Sequence, residues 1–212
     1  RRVPGTSQHL VWRKLWFHQR CREFLRTKGQ IVCLGAGLDA LGLRVAQQFP
    51  GTSILEIDRP DIMRLKRDWL SSAHPQITNL RFLGADLARP DFDPGGMHLS
   101  PHERTLVLAE GLFMYLPQTA VEGILRGLLK WFSGPLELTF SCLDTNSLRD
   151  PTSSIAKLAA ELQKRGTSER FHWALDQESA REWLHNLGFQ AGPCTDSRLV
   201  IQASYGEFVV TG

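Results

Sequence analysis

The chain has 212 residues, 42% of them hydrophobic and 22% charged, which suits one domain with a full apolar core and excludes a disordered chain, a disulfide-stapled miniprotein and a collagen-like fibre. Its net charge is +3 with histidines neutral, but residues 1–28 hold eight Lys/Arg against one acid, leaving 17 basic against 21 acidic residues for the rest. The basic residues of that segment are interleaved with Trp12, Leu15, Trp16 and Phe17 at core-like spacing, which argues against a solvated nucleic-acid-binding block.

In chain order, Leu10, Phe17, Cys21 and Phe24 follow the three-and-four rhythm of a helix lying on a core and predict one over residues 10–26. Gln30-Ile31-Val32-Cys33-Leu34 is a short apolar run ending at Gly35, the pattern of a buried strand. A helical pattern carrying Leu41, Val45 and Phe49 extends from Leu38 to Phe49, where Pro50-Gly51 stops it. The alternation continues with a strand over 53–57, a helix over 61–71 preceded by Pro60, and a strand over 80–83. The proline- and glycine-containing stretch 89–104 is a loop, followed by a strand over 105–109, a helix from Pro117 to Phe132 and a strand over 136–143.

Strands alternating with helices predict an α/β fold with a mostly parallel sheet and helices on both faces. The ending differs: helices over 153–164 and 176–187 precede strands over 189–194 and 204–210, and two strands without an intervening helix predict an antiparallel hairpin closing a seven-stranded sheet. The whole of 1–212 is expected to be one domain, with a helical segment over 1–28 and a substrate-side insertion over 146–171. No apolar run approaches the roughly 18 residues that span a bilayer; the longest, Thr105 to Leu116, is broken by Glu110. With no membrane partner and no charged-then-apolar leader, the expected location is the cytoplasm. Cys21, Cys33, Cys142 and Cys194 never fall at a two-residue spacing, so they are expected to be reduced buried thiols, without a zinc ribbon or other metal site.

The chemistry begins at Gly35-Ala36-Gly37-Leu38-Asp39-Ala40, where the first strand turns into a helix in the G-x-G-x-x-G/A pattern, with Glu56 and Asp58 closing the next strand about twenty residues on. Glycines there let a ligand approach the backbone, and the acid accepts hydrogen bonds from ribose hydroxyls. Nicotinamide enzymes, flavoproteins and S-adenosylmethionine (SAM) enzymes share this arrangement. A pyrophosphate would be repelled by Asp39 at the helix N-terminus, whereas the sulfonium and ammonium of SAM are favoured by an acidic loop. Asp39 also has the residue type and place of a helix N-cap. Asp86-Leu87 follows the third strand and Glu110-Gly111 the fourth. Asp39, Asp58, Asp86 and Glu110 thus fall at the carboxyl ends of parallel strands, where open α/β sheets bind ligands.

Three runs carry a resemblance: residues 30–39 around the glycine loop, Glu56-Ile57-Asp58-Arg59-Pro60 with Lys66 downstream, and Glu110-Gly111-Leu112-Phe113-Met114-Tyr115-Leu116-Pro117. The chain resembles the class I, Rossmann-like SAM-dependent methyltransferases, and within them the leucine carboxyl methyltransferase family with its bacterial relatives acting on polyketide carboxylates. The resemblance implies that Arg13 pairs with the carboxylate of SAM, that Gly35 and Gly37 line its methionine portion, and that Asp58 takes the ribose hydroxyls. It further places Asp86 and Leu87 at the adenine and Glu110 near the methionine end. Ala40-Leu41 stands where many members have Thr-Arg, with Arg44 matching a later arginine.

These residues point to an O-methyltransferase acting on a small-molecule carboxylate. A carboxylate is nucleophilic at neutral pH and needs no general base, and no catalytic residue is assigned; a hydroxyl acceptor would call on His172. Met114 and Tyr115 border either the acceptor pocket or the core, and Arg149, Arg165 or Arg170 could meet an anionic acceptor. An NAD(P)-dependent oxidoreductase, a non-catalytic SAM-binding module, RNA methylation and protein C-terminal carboxyl methylation remain open readings, as does the oligomeric state.

Overall fold

The structure is a computed structural model that describes residues 6–89, 92, 94–153, 156–157, 159–161, 171–192 and 200–205. Its elements are α1 (Thr6–Phe24), β1 (Gln30–Leu34), α2 (Leu41–Gln48), β2 (Ile54–Asp58), α3 (Pro60–Ala73), β3 (Leu80–Gly84), β4 (Thr105–Ala109), α4 (Gln118–Trp131), β5 (Leu136–Ser141), α5 (Thr145–Arg149), α6 (Gln177–Asn186), β6 (Gln190–Ala191) and β7 (Val200–Tyr205). The strands share one sheet in the order β3-β2-β1-β4-β5-β7-β6. The first five are parallel, with Val32 opposite Leu55 on one side and Val107 on the other, as the strand-helix alternation predicts. β7 runs antiparallel to both β5 and β6, placing Leu138 opposite Ala203 and Ala191 opposite Ala203 from the other edge.

The apolar strands serve two cores because side chains alternate across a sheet. Val32, Leu34, Leu55, Ile57, Val107, Leu138 and Phe140 face one side, where Val121, Ile124 and Leu128 of α4 and Trp183 and Leu184 of α6 cover them. Ile31, Cys33, Ile54, Leu106 and Leu108 face the other, beneath Phe17, Cys21 and Phe24 of α1, Leu43 and Val45 of α2 and Leu70 of α3. The helical rhythm read at Phe17, Cys21 and Phe24 is therefore the stripe that docks α1, and all three are essentially fully buried.

Several boundaries differ from expectation. α2 starts at Leu41 rather than Leu38; Leu38 is 67% exposed and belongs to the turn, because the left-handed backbone at Gly35 and Gly37 must unwind before a helix can begin. β5 ends at Ser141 instead of 143, and a short helix, α5, follows, capped by Asp144 through Ser147 N–H at 2.8 Å. The last strand lies at 200–205 rather than 204–210, since Val200 and Ile201 supply the partners of Ser141 and Phe140; residues 206–212 lie outside the described residues. β6 is a two-residue strand within the expected 189–194, whose end from 193 is likewise outside them. Of the helix expected over 153–164, residues 156–157 and 159–161 are helical and 162–164 are not described. Among the described residues no helix is long and apolar enough to cross a membrane, and Cys21, Cys33 and Cys142 are buried.

Candidate functional site

The carboxyl ends of β1, β2 and β4 lie side by side at the middle of the sheet, and each runs into a turn carrying an acid. After β1 the chain reverses through Gly35, whose φ of +64° only glycine adopts readily. Its N–H donates to Ile57 O at 2.8 Å, tying the loop to β2. Beside Gly37 an added Cβ would meet nothing within 4 Å, so the missing side chain leaves open space next to the backbone. Gly37 N–H donates to Asp58 Oδ2 at 2.7 Å, and Arg59 N–H to Oδ1 at 2.7 Å. Asp58 is thus fixed in direction, and each of its oxygens keeps a lone pair for a further donor.

Asp39, the third acid of this rim, accepts Leu41 N–H at 2.7 Å and so caps the first turn of α2 from one residue upstream. Its other oxygen is bound by Lys14 Nζ of α1. Glu110, directly after β4, accepts Arg13 Nε at 2.8 Å, and Lys14 Nζ lies 3.1 Å from the same oxygen. The Arg13 and Glu110 side chains are 17% and 10% exposed, so this pair is partly desolvated and stronger than an open surface bridge. Ser141 Oγ accepts the N–H of the next residue, Gly111, at 2.7 Å, locking the turn that aims Glu110. Lys14, Gly35, Ala36, Asp39 and Glu110 line a small cavity of about 40 Å³ with Cys33 and Leu108 in its wall.

Glu56 also lines that cavity, from below. It is 1% exposed, whereas Asp58 two residues later is only partly buried. Lys66 Nζ of α3 sits 2.6 Å from Glu56 Oε2, in a contact that is short yet poorly aligned as a hydrogen bond, so its attraction is chiefly Coulombic. The backbone of Gly42 at the start of α2 lies against Glu56 and favours its charged form, and a Cβ at Gly42 would collide with the carboxylate. Burial pushes the Glu56 carboxyl above its ordinary range, and Lys66 works against that rise. The Cys33 thiol is pushed well up by burial and by Glu56, and Cys21 to about 12, chiefly by burial; neither is a thiolate.

The remaining expected residues fall around this centre. Asp86 and Leu87 follow β3, at the sheet edge, with Asp86 exposed and accepting Ala88 N–H at 3.0 Å while Leu87 is buried. Met114 is 4% exposed and belongs to the core, which settles one of its two readings; Tyr115 is half-buried against Phe171, ring centroids 5.3 Å apart. His172 is exposed, its N–H donating to Met114 O at 2.8 Å. Arg149 is exposed at the end of α5; Arg165 and Arg170 lie outside the described residues. Among the described residues, no group of three His, Cys, Asp or Glu is gathered to hold a metal ion.

Two features escaped the sequence reading. Lys66 was noticed only by resemblance, although it occupies the buried stripe of α3 between Met63 and Leu70, and Glu56 interrupts an otherwise apolar strand. A charge on each of two core-facing stripes is a signal for a buried pair. Lys14 bridging Asp39 and Glu110 had no such signal, because the three are brought together only when α1 packs across the ends of β1 and β4.

Comparison with known proteins agrees with this geometry. The family profile described as leucine carboxyl methyltransferase matches residues 1–129. A protein of Mycolicibacterium paratuberculosis, provisionally named an S-adenosyl-L-methionine-dependent methyltransferase, is 29% identical over 195 residues, covering 82% of this chain and 58% of its own. One of Mycobacterium bovis with the same provisional name is 36% identical over 104 residues, covering 47% and 33%. The chain therefore spans little more than half the length of the first of these relatives. Among solved structures, an O-methyltransferase family protein from Burkholderia thailandensis superposes with a TM-score of 0.64 at 12% identity, over 92% of this chain and 56% of that one. Magnesium protoporphyrin IX methyltransferase from Synechocystis PCC 6803, solved with bound SAH, gives 0.62 at 14%, over 92% and 84%. At these identities the structures speak for a shared α/β Rossmann-like methyltransferase fold. With the profile covering well over half of the sequence, the chain belongs to the leucine carboxyl methyltransferase family.

Proposed function

We propose that this protein is a SAM-dependent O-methyltransferase whose acceptor is the carboxylate of a small molecule, and that residues 1–212 form one such domain of seven strands ending in an antiparallel pair. The observation that carries this is the meeting of three kinds of group at the ends of β1, β2 and β4: open backbone at Gly37, a fixed carboxylate at Asp58 and a cluster of two cations and two acids at Arg13, Lys14, Asp39 and Glu110. SAM needs all three, since it has vicinal ribose hydroxyls at its centre and a zwitterionic amino acid at one end.

In this reading Asp58 accepts from the ribose hydroxyls through the lone pairs left by Gly37 and Arg59 N–H. Gly35 and Gly37 let the ligand lie against bare backbone. Asp86 accepts from the adenine amino group, and the buried Leu87 contributes an apolar contact to the ring. Arg13 brings positive charge to the carboxylate of the amino acid, and Glu110 accepts from its ammonium. When bound, SAM supplies an electrophilic methyl group on a cationic sulfur. The protein's task is then to align the acceptor with it and to exclude water.

A carboxylate acceptor fits the proton inventory of the cavity. Among the described residues its lining contains no histidine, and the Cys33 thiol within it is held protonated by burial, so an acceptor that arrives already ionised suits it better than a hydroxyl. The segment 146–171, which begins in α5 after β5, is the proposed selector of the acceptor, since variable connections carry specificity.

Calorimetric titration of the chain with SAM, S-adenosylhomocysteine and NADH tests the cofactor; the two sulfur ligands are expected to bind and NADH is not. NADH binding alone would overturn the reading in favour of a dehydrogenase. Methyl-ester formation from small carboxylates tests the acceptor. Transfer to hydroxyls only, or cofactor binding without turnover on either class, would refute that part.

A further inference from the structure

We infer that the hollow between α2 and α3 is a second binding site, for an uncharged apolar small molecule. Of the five large hydrophobic side chains that stand exposed among the described residues, three, Leu38, Leu65 and Trp69, ring this one place. Single exposed apolar side chains are ordinary, whereas several gathered around one hollow mark a binding surface. Its floor is Leu70 of α3 with Leu80 and Phe82 of β3, and its volume is about 330 Å³, at the lower end of what small-ligand pockets span. A hollow of that size takes a compact ligand; a docked helix needs a groove that continues over several turns.

The packing around it explains why the hollow stays open. Arg67 of α3 donates to Phe82 O at 3.0 Å, and at the end of β3 a Cβ on Gly84 would come 2.7 Å from Pro60 Cα, so α3 is seated firmly on β3. Toward α2, Lys66 forms part of the wall and pairs with Glu56, whose carboxylate packs on Gly42. The buried ion pair thus stands between the two helices and keeps them apart. Trp69 is steadied at the rim by His74, edge to face with ring centroids 5.3 Å apart.

The charges of the wall decide the charge of the ligand. Lys66 is matched by Glu56, and Asp39, the other charged residue of the wall, by Lys14. An ionic ligand would bring a charge without a partner beside a buried pair, at a desolvation cost that nothing there offsets. A ring system or hydrocarbon needs no partner and is favoured by the area it removes from water. The hollow shares only Asp39 with the cavity lined by Gly35 and Glu110, so it is a separate site.

Fluorescence titration of the full chain with N-phenyl-1-naphthylamine, which is uncharged, and with 8-anilinonaphthalene-1-sulfonate, its sulfonated counterpart, tests this. The uncharged probe is expected to bind roughly tenfold more tightly than the sulfonate. Leu65→Lys and Trp69→Gln are each expected to weaken it by about tenfold, while Leu15→Lys, which alters an equally exposed side chain of α1, leaves it within about twofold. All three variants should melt with the unaltered chain, since the side chains they replace are more than half exposed. S-adenosylhomocysteine at saturation is expected to leave the probe bound. No binding of the uncharged probe, tighter binding of the sulfonate, equal weakening by Leu15→Lys, or displacement in step with S-adenosylhomocysteine occupancy would each overturn the assignment. Sedimentation of the unaltered chain and of Leu65→Lys should coincide; a dimer that Leu65→Lys dissociates would give the surface to a second copy of the chain instead. The effect of the two rim variants is read whether or not the chain binds SAM, so this site and the cofactor reading fail separately.

Discussion

Asp58 anchors the glycine turn and is also the proposed ribose acceptor. Its two oxygens are oriented by Gly37 and Arg59 N–H, and that orientation leaves lone pairs directed over the glycine turn. Asp58→Ala removes both the anchor of the turn and the proposed acceptor for ribose, so SAM affinity should drop by about tenfold to a hundredfold, each charge-assisted hydrogen bond being worth roughly 1.5 to 3 kcal/mol. Calorimetry on the folded variant measures this, and unchanged affinity would remove Asp58 from the site. Glu56, two residues earlier on the same strand, is spent on the interior. Lys66→Met would strand a buried carboxylate and should destabilise the fold by about 3 to 5 kcal/mol, measured by urea unfolding. Because burial raises the Glu56 carboxyl in the folded state, its contribution to stability is greatest below the ordinary carboxylate range and declines as pH rises through the raised value. Comparison with the Glu56→Gln, Lys66→Met double variant across acid to neutral pH should show that decline in the unaltered chain alone.

At the scale of elements, α1 carries the site on one end and its anchorage on the other. Phe17, Cys21 and Phe24 bury it against β1 and β4, while Arg20 reaches Glu137 of β5, which also accepts Arg104 Nη2 at 2.6 Å. Arg104 in turn lies 3.8 Å over the Phe24 ring and donates to Phe24 O at 2.8 Å, closing the far end of the helix onto the sheet. Glu137→Gln leaves two guanidinium groups facing one neutral amide and should cost about 2 kcal/mol in urea unfolding. The start of α6 is held differently, by Asp176 accepting Ser179 N–H at 2.8 Å. That hydrogen bond lowers the Asp176 carboxyl, so its stabilisation is present at neutral pH and is lost as pH falls through the lowered value. Thermal unfolding of Asp176→Ala should therefore trail the unaltered chain at pH 7 and match it near pH 2.

At the scale of the whole molecule, the site exists because the strand order turns at β1. β2 and β3 lie to one side of it and β4 and β5 to the other, so the connections leaving β1 and β4 diverge and open a cavity between them. The five parallel strands and their helices were legible in the sequence from apolar runs punctuated by Gly35, Pro50-Gly51 and Pro60. Asp58 and Glu110 were legible as acids at strand ends for the same reason, because position at a strand end is a local property. The register of β7 was not, since Val200 and Ile201 are marked as strand only by the partners that Phe140 and Ser141 provide. A bound ligand bridging α1, the glycine turn and β2 should raise the melting temperature in proportion to the logarithm of its concentration, which a thermal-shift series with SAM would record.

The sequence by itself determined the alternation of strand and helix, the glycine turn and the placing of acids around it, because these follow from periodicity of two and 3.6 residues and from backbone freedom at particular positions. Only the tertiary structure decided how those charges are shared. It gave Glu56 to Lys66 in the interior, left Asp58 at the rim, and set Lys14 between Asp39 and Glu110. Such pairings join residues 10 to 96 positions apart, and whether a carboxylate is solvated, buried or neutralised depends on which helix packs over it. That information is carried by the packing of α1 and α3 on the sheet and by no local pattern.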